Sequence, residues 1–390
     1  MRRIILLIFT CCISWTAFAQ SVFIHHIGVG QGDATLMILK DGTYQMSILI
    51  DAGNSSAKGT AVYKEVNKYL GMSKVLNCII VSHLHSDHMG GMMSLMDSLS
   101  TNSWSIGFIL DRVAGGYGDS DDSLCYSNGS FMWNDGEPAL PTSQLVGRYR
   151  TAVGKLKYQQ WLNFAVGGDV IQAVNSRFSS AISLLCTTSN GYVYAPGKPN
   201  NYVYLGDNAH NENDYSYSFL LQMGSFKYFT GGDIGGEAPY VDLETPLVTY
   251  FQSRPDATNF HFCSYKASHH GSEHSTNTTF VTAVKPTLTV VPSALRSFSG
   301  TQLPGCNTLT RLITSPAIDP VLFFTYFWAS NSSACKGSVT AYQDVDIGVD
   351  GTTYDQNHTM SVTTTTRDKS TLALDPSTTK TVSVQCKQAH

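Results

Sequence analysis

Val81-Ser82-His83-Leu84-His85-Ser86-Asp87-His88-Met89-Gly90-Gly91 is the stretch on which the reading of this chain turns. Four metal-ligand side chains fall between His83 and His88, directly after the apolar run Cys78-Ile79-Ile80-Val81. That run has the length and composition of a buried strand. On extended backbone, residues two apart face the same way. On a helix, His83 and His85 would diverge by about 200°. His83 and His85 can therefore share one ion, while Asp87 and His88 turn toward a second. Neutral imidazoles and a carboxylate are what a Zn²⁺-like ion takes. A polar surface loop is the competing reading, and the density of ligands argues against it.

Upstream, Ser21 to Ile38 reads strand, glycine turn, strand, with Gly28-Val29-Gly30-Gln31-Gly32-Asp33 as the turn. A third strand, Met46 to Ile50, runs into Asp51-Ala52-Gly53-Asn54. The alternation is that of a β-hairpin series. Asp33 and Asp51 can be read as simple turn residues or as groups beneath the metal loop. His25 and His26 are neighbours on a strand and face opposite sides. They are expected to be strand residues with satisfied ring nitrogens. Residues 60–71 have helical spacing with Gly71 as a stop, and Gly90-Gly91 opens a second helix. Its N-terminus would favour an anion beside the metal loop.

Downstream, Asn213-Asp214-Tyr215-Ser216 leads into two strands that end in Gly231-Gly232-Asp233. Further on, Lys266-Ala267-Ser268-His269-His270-Gly271-Ser272 follows another strand. Taken singly, each is an ordinary polar turn. Taken with H-x-H-x-D-H, they resemble the metallo-β-lactamase superfamily. The segments Gly28 to Asp33, Ile50 to Asn54, Asn213 to Asp233 and His269 to Ser272 resemble its ComEC-type branch. The resemblance runs from about residue 22 to about 352. It implies an α+β fold, a four-layer αββα sandwich. It implies two divalent ions, zinc or alternatively manganese, held by His83, His85, Asp87, His88, Asp233 and His270.

Within that resemblance Asp233 is the bridging ligand, and Asp33 and Asp51 orient the loop by hydrogen bonds, as groups behind a metal ligand do. One of His269 and His270 closes the second ion's shell and the other faces substrate. The expectation assigns His270 to the metal and His269, with Asp87, to catalysis; the reverse assignment of the two histidines stays open. Asn213, Ser216, Lys266 and Ser272 are expected to bind substrate. Two departures matter. Gly28 stands where the branch has an aspartate. The further histidine ligand of many members has only His210 as a candidate here.

Arg2 and Arg3, an apolar run to Trp15 and Ala17-Phe18-Ala19 fit a secretory leader cut after Ala19. A secreted or periplasmic protein is expected, without a later apolar run long enough to span a membrane. The formal net charge is −4, and becomes more negative without the two arginines. Such a balance has no electrostatic footprint for gripping long nucleic acid. Seven cysteines follow Ala19, so at least one is unpaired. Cys306 and Cys335 sit in loop-like surroundings and are the expected disulfide. Cys78, Cys186 and Cys263 lie in apolar runs and read as small buried hydrophobes.

The expected organisation is a leader over 1–19, a hydrolase domain over 20–352 with a Gly- and aromatic-rich insertion at 114–141, and a β-rich or flexible tail over 353–390. Residues 143–164 read as helix. The leading expectation is an exported hydrolase that uses a metal-activated hydroxide on phosphoesters of small molecules or the cell envelope, with nucleic acid a weaker candidate substrate. β-Lactamase- or lactonase-like C–N or C–O hydrolysis is the alternative. A non-catalytic metal-binding module is the third reading.

Overall fold

A computed structural model describes residues 20–112, 142–205 and 211–386, apart from 299, 318, 330–332, 352–353 and 355–356. The expectations for 1–19, for 114–141 and for His210 fall outside these residues. In chain order the first elements are β1 (Gln20–His26), β2 (Thr35–Asp41), β3 (Tyr44–Ile50), α1 (Ser56–Leu70), β4 (Val75–Ile80), α2 (Met92–Thr101), β5 (Ser105–Leu110), α3 (Thr142–Val153) and β6 (Lys157–Leu162). There follow β7 (Ile182–Ser189), β8 (Tyr192–Tyr194), β9 (Tyr202–Tyr204), β10 (Ser218–Met223), β11 (Phe226–Thr230), α4 (Glu244–Ser253), β12 (Ser264–Lys266), α5 (Thr278–Val284) and β13 (Leu288–Val291). The last are β14 (Arg296–Phe298), β15 (Thr301–Leu303), α6 (Cys306–Ile313), β16 (Val321–Phe324), β17 (Tyr326–Trp328), β18 (Val339–Asp350), β19 (Thr359–Arg367) and β20 (Leu374–Gln385).

Two sheets carry the molecule. The first runs β20-β19-β18-β1-β2-β3-β4-β5-β6, with β17 also on β18; the second runs β16-β13-β12-β11-β10-β7-β8-β9. Alternation along the strands divides side chains between layers. In β4, Cys78 and Ile80 face the second sheet, joining Leu221, Tyr228 and Val290. Ile79 and the following Val81 face outward, onto Val62 and Val66 of α1, Leu95 and Leu99 of α2 and Tyr149 of α3. On the far side, Leu247 and Phe251 of α4, Phe280 of α5 and Leu312 of α6 cover Phe229 and Tyr265. The order is helices, sheet, sheet, helices, the expected four-layer α+β sandwich. Because both faces of the central strands are covered, their sequences are continuously apolar rather than alternating.

Two local expectations are corrected, and one apolar run divides between the sheets. Residues 143–164 are not one helix: the helix ends before Gly154, and Lys157–Leu162 is an edge strand parallel to β5. The apolar run from Val321 to Trp328 is not one strand. Its first half pairs with β13 in the second sheet and its second half with β18 in the first. Thr325 is the crossing point, its N–H on Val291 O and its Oγ1 accepting from Ser293. Cys263 is not a free buried thiol, because it is bonded to Cys386. That bond ties the end of β20 in the first sheet to the entry of β12 in the second. Cys306–Cys335 is the second disulfide, as its loop positions predicted, and Cys78 and Cys186 are free and buried.

The segment after residue 353 contributes β19 and β20 to the first sheet, through a long antiparallel ladder with β18. Among the described residues no helix is long and apolar enough to cross a membrane.

Candidate metal centre

The site lies at the ends of strands from both sheets. β4 stops at Ile80, Val81 still donates to Leu110 O of β5, and Ser82 to His85 is held by tertiary bonds. Asp51 sits just past β3 at φ 62°, in the left-handed region where a non-glycine residue is strained. Its Oδ1 accepts the Ser82 N–H at 2.8 Å, and its Oδ2 accepts from Ser82 Oγ at 2.7 Å and from His88 Nδ1 at 2.8 Å. The turn between β1 and β2 packs on the same loop. The Asp33 N–H reaches Asp87 O at 3.2 Å. Gly32 has φ 118°, and a Cβ there would come within 2.1 Å of that oxygen. Only glycine allows this approach.

From the second sheet, β11 ends at Thr230 and delivers Asp233, whose N–H donates to Ser216 Oγ at 3.2 Å. β12 ends at Lys266 and delivers His269 and His270, both at positive φ (48° and 54°). Bonds from His269 N to Gly232 O, Ser272 N to His269 O and Gly305 N to Gly271 O hold this strained turn. The turn sends the two rings in different directions, with centroids 6.2 Å apart.

The ligand atoms meet in two groups around Asp233. His83 Nε2 lies 3.0 Å from His85 Nδ1 and 3.9 Å from Asp233 Oδ2. On the other side, His88 Nε2 lies 3.2 Å and His270 Nε2 3.3 Å from Asp233 Oδ2. Asp87 Oδ2 is 3.1 Å from His270 Nε2, and Asp87 Oδ1 is 3.9 Å from His88 Nε2. Atoms bound at about 2.1 Å to one tetrahedral ion lie about 3.4 Å apart. The observed separations scatter around that value.

Tautomers point the same way. His270 Nδ1 is 3.0 Å from Pro292 O, an acceptor only, so Nδ1 carries the proton and Nε2 the lone pair. His88 Nδ1 faces the Asp51 carboxylate, which likewise leaves its Nε2 bare. Ser82 Oγ gives its proton to Asp51, so it accepts from His83 Nδ1 at 3.1 Å. His88 Nε2, His270 Nε2 and Asp233 Oδ1 are buried without a hydrogen bond among the described residues. Buried polar atoms are normally paired. These residues fit divalent ions, and the groups His83–His85–Asp233 and Asp33–His88–Asp233–His270 each cluster tightly enough to hold one.

Charge in the centre is lopsided. Asp33, Asp51, Asp87 and Asp233 face one fixed cation, Lys266, which pairs with Asp33. In the metal-free chain, burial works against protonating His88 and His270, but the Asp233 charge prevails and holds both well above the ordinary imidazole value. Burial and the neighbouring His88 hold His83 well below it. Asp233 stays far below the carboxylate range despite its burial, because His270 and His88 face it. Burial lowers His269 to about 4.

The expected site residues thus separate by position. His83, His85, Asp87, His88, Asp233 and His270 are brought together. Asp51 underlies His83 and His88 through Ser82, and Asp33 Oδ1 lies 3.4 Å from His270 Nδ1. His269 stands outside the cluster with Asn213 Nδ2 at 3.2 Å from its Nε2 and Tyr240 against its ring. It is half-buried, as are Asp87, Tyr215, Tyr240 and His274. Three of the residues expected to bind substrate are buried. Lys266 is 2% exposed, paired with Asp33 and directed at Gly232 O. Ser216 and Ser272 are fully buried and bonded to the N–H groups of Asp233 and His274. All three support the site from behind. Asn213 is buried too and reaches only as far as His269.

Sequence reasoning missed Ser82 and Glu212. Ser82 precedes His83 directly, and a hydroxyl between a strand and a ligand pair was the available signal. The His25 and His26 reading also needs amendment. His26 Nε2 is buried without a hydrogen-bond partner among the described residues, and burial, reinforced by Lys266, lowers the ring to about 3. His25 belongs to an ionic cluster described below.

Residues 27–122 match the metallo-beta-lactamase superfamily. Among solved structures the chain is similar to the metallo-beta-lactamase fold protein YhfI from Bacillus subtilis, with TM-score 0.40 and 12% identity, covering 82% of this chain and 98% of that one. It is similar to a metallo-beta-lactamase with a HARLDQ motif from Cronobacter sakazakii, with TM-score 0.33 and 13% identity over 62% and 76% of the two chains. A diphosphatase from the PhnP family aligns with TM-score 0.33 and 10% identity over 69% and 85%. No curated protein matches significantly in sequence. With helices on both outer faces of two packed sheets, and a family match running from the first strand turn through the H-x-H-x-D-H loop, the chain has the metallo-β-lactamase fold.

Proposed function

We propose that this chain is an exported two-metal hydrolase of phosphoesters, allied by its motifs to the ComEC-type branch. The observation that carries the reading is Asp233, whose Oδ2 stands 3.9 Å from His83 Nε2 on one side and 3.2 Å from His88 Nε2 on the other. A carboxylate shared by two ligand sets would serve two ions at once. His83, His85 and Asp233 would hold the first ion; Asp87, His88, His270 and Asp233 would hold the second. Imidazole and carboxylate donors suit zinc, with manganese as the alternative. Ions held there supply Lewis acidity toward a water and toward an anionic ester.

The protein's own groups do the rest. Asp51 and Pro292 O hold Nδ1 of His88 and His270, so each ring turns its Nε2 toward the shared carboxylate. Four carboxylates against one lysine leave a charge surplus that favours cation binding over an empty state. His269 is a half-buried imidazole beside the cluster, oriented by Asn213 and kept neutral by burial, and is the candidate to move a proton at the reacting atoms. Two cations favour an anionic substrate over a neutral lactam or lactone. The negative formal charge of the chain favours a small or cell-envelope phosphodiester over long nucleic acid. Lys266 lends no support to phosphate binding, since it is buried against Asp33.

The test is metal analysis of purified protein, followed by phosphodiester, phosphomonoester, lactam and lactone substrates side by side. Two ions per chain and a preference for phosphodiester are expected. A protein that holds no metal and gains no phosphodiesterase activity with added zinc or manganese would overturn the reading.

A further inference from the structure

Glu212 opens the 3₁₀ turn Glu212–Tyr215 and is 2% exposed. Its Oε1 accepts the backbone N–H of Leu84 at 3.0 Å. Leu84 is the residue between His83 and His85, in a stretch with no strand partner of its own. A buried N–H there must find an acceptor, and Glu212 is that acceptor. The carboxylate also pairs with the Arg112 guanidinium, which lies 4.1 Å over the Tyr215 ring. The pair is neutral, so Glu212 adds nothing to the negative surplus of the metal centre.

The residues that follow Glu212 reach the other parts of the site. Asn213 meets His269, and Asp214 Oδ1 accepts the Val241 N–H at 2.9 Å. Ser216 Oγ accepts from Asp233, and the Tyr217 N–H donates to Ser82 O at 2.9 Å. One short segment therefore touches the His83–His85 loop, Asp233 and His269. Of these contacts, the bond from Leu84 to Glu212 is the one that fixes the backbone between the two histidines of the first group.

We infer that Glu212 is a positioning residue for the first ion: it holds the Leu84 amide, so that His83 Nε2 and His85 Nδ1 stay at one ion's reach. The second group hangs on Asp51, Asp33 and Pro292 and does not depend on it. The inference rests on the two-ion reading above. Groups that orient a metal ligand typically change affinity by about 10–100-fold when removed.

Glu212→Ala alone would remove the carboxylate that Arg112 pairs with in the interior, at a cost unrelated to metal. The experiment therefore uses an Arg112→Met background and compares Glu212→Ala, which removes the acceptor, with Glu212→Gln, which keeps one. Stepwise Zn²⁺ affinities come from chelator competition, and Co²⁺ spectra identify the site that is filled. His83→Ala protein, lacking the first site, gives the reference spectrum of the second ion alone. The Ala variant should bind the first ion about 10–100-fold more weakly, keep the second within about twofold, and show the reference spectrum at one equivalent. The Gln variant should recover most of the loss. Equal first-ion affinity in the Ala and Gln variants, or equal loss of both ions, overturns the role of Glu212. Wild-type protein that binds fewer than two ions overturns the two-ion reading, and this inference with it.

Discussion

Two buried clusters in this protein are built from the same residue types and do opposite things. In the metal centre, four aspartates and four histidines face a single lysine. In the second cluster, Glu65 of α1, Asp344 and Asp346 of β18, His25 of β1 and Arg367 of β19 meet across the first sheet. Arg367 pairs with Asp344 through both nitrogens, at 2.6 and 2.7 Å, and with Glu65 at 2.7 Å. His25 bonds Asp346 and lies 3.4 Å from Glu65, and Lys68 reaches Glu65 at 3.2 Å. Three carboxylates there meet two fixed cations, Arg367 and Lys68, and the His25 ring, against the one fixed cation of the metal centre. His25, Glu65 and Asp344 are close enough to hold an ion, but Arg367 already supplies the charge. A cluster that balances itself is a clasp between helix and sheet. A cluster that does not is a receptor for cations.

The largest effect that could break this contrast is at Asp233. Asp233→Asn keeps the shape and removes the charge shared by both ligand groups. It should lose at least one ion and reduce hydrolysis to the level of metal-free protein, as read by metal analysis and phosphodiester turnover. Retention of two ions with near-normal turnover would mean that Asp233 is not shared. Next come the paired histidines. His270→Ala should lose metal. His269→Ala should keep both ions and slow turnover by about 10²–10⁴-fold. The opposite pattern of metal content would exchange their roles.

In the balanced cluster the same kind of deletion should spare metal and cost stability. Arg367→Met leaves Asp344 and Glu65 buried without their main cation. Breaking a buried pair in this way costs about 3–5 kcal/mol, measurable as a lowered urea midpoint with unchanged metal content. Loss of metal in this variant would show that the two clusters are coupled.

The smallest expected effect is a pH dependence. Burial alone would lower His25, but the bonds to Asp346 and Glu65 and the charge of Asp344 raise it to about 9. A raised value means that the folded state holds a proton the unfolded chain releases near pH 6.5. The stabilisation is therefore complete below pH 6.5 and is lost as pH rises through 9. Unfolding free energy should fall across that window by up to about 3 kcal/mol, and His25→Gln should flatten the fall. A wild-type curve as flat as the variant's would place a neutral His25 in the cluster.

Much of the centre was legible because its ligands are close in sequence. His83, His85, Asp87 and His88 share one loop: extended backbone after a strand puts His83 and His85 on one face, and the helical turn Ser86–Met89 carries Asp87 and His88 to the other group. The glycine-flanked Asp233 and the His269–His270 turn were found by resemblance; neither spacing nor composition marks them among other polar turns. The burial of Ser216, Lys266 and Ser272 was not legible, for one reason. A strand-end position says that a side chain is near the site, but not whether it faces the cleft or the layer behind.

By itself the sequence determined the helices and strands whose period is regular, the covered central strands and the chemistry of the metal loop. These follow from local backbone geometry and from burial patterns that each segment carries alone. Only the tertiary structure decided that Val321 to Trp328 splits between two sheets, that Cys263 bonds Cys386, that Arg367 balances Glu65 and Asp344, and that Glu212 takes the amide between two ligands. Each joins residues far apart in the chain through a single bond or ion pair. Such a contact leaves no periodic trace in either segment, and it exists only once the two sheets have packed.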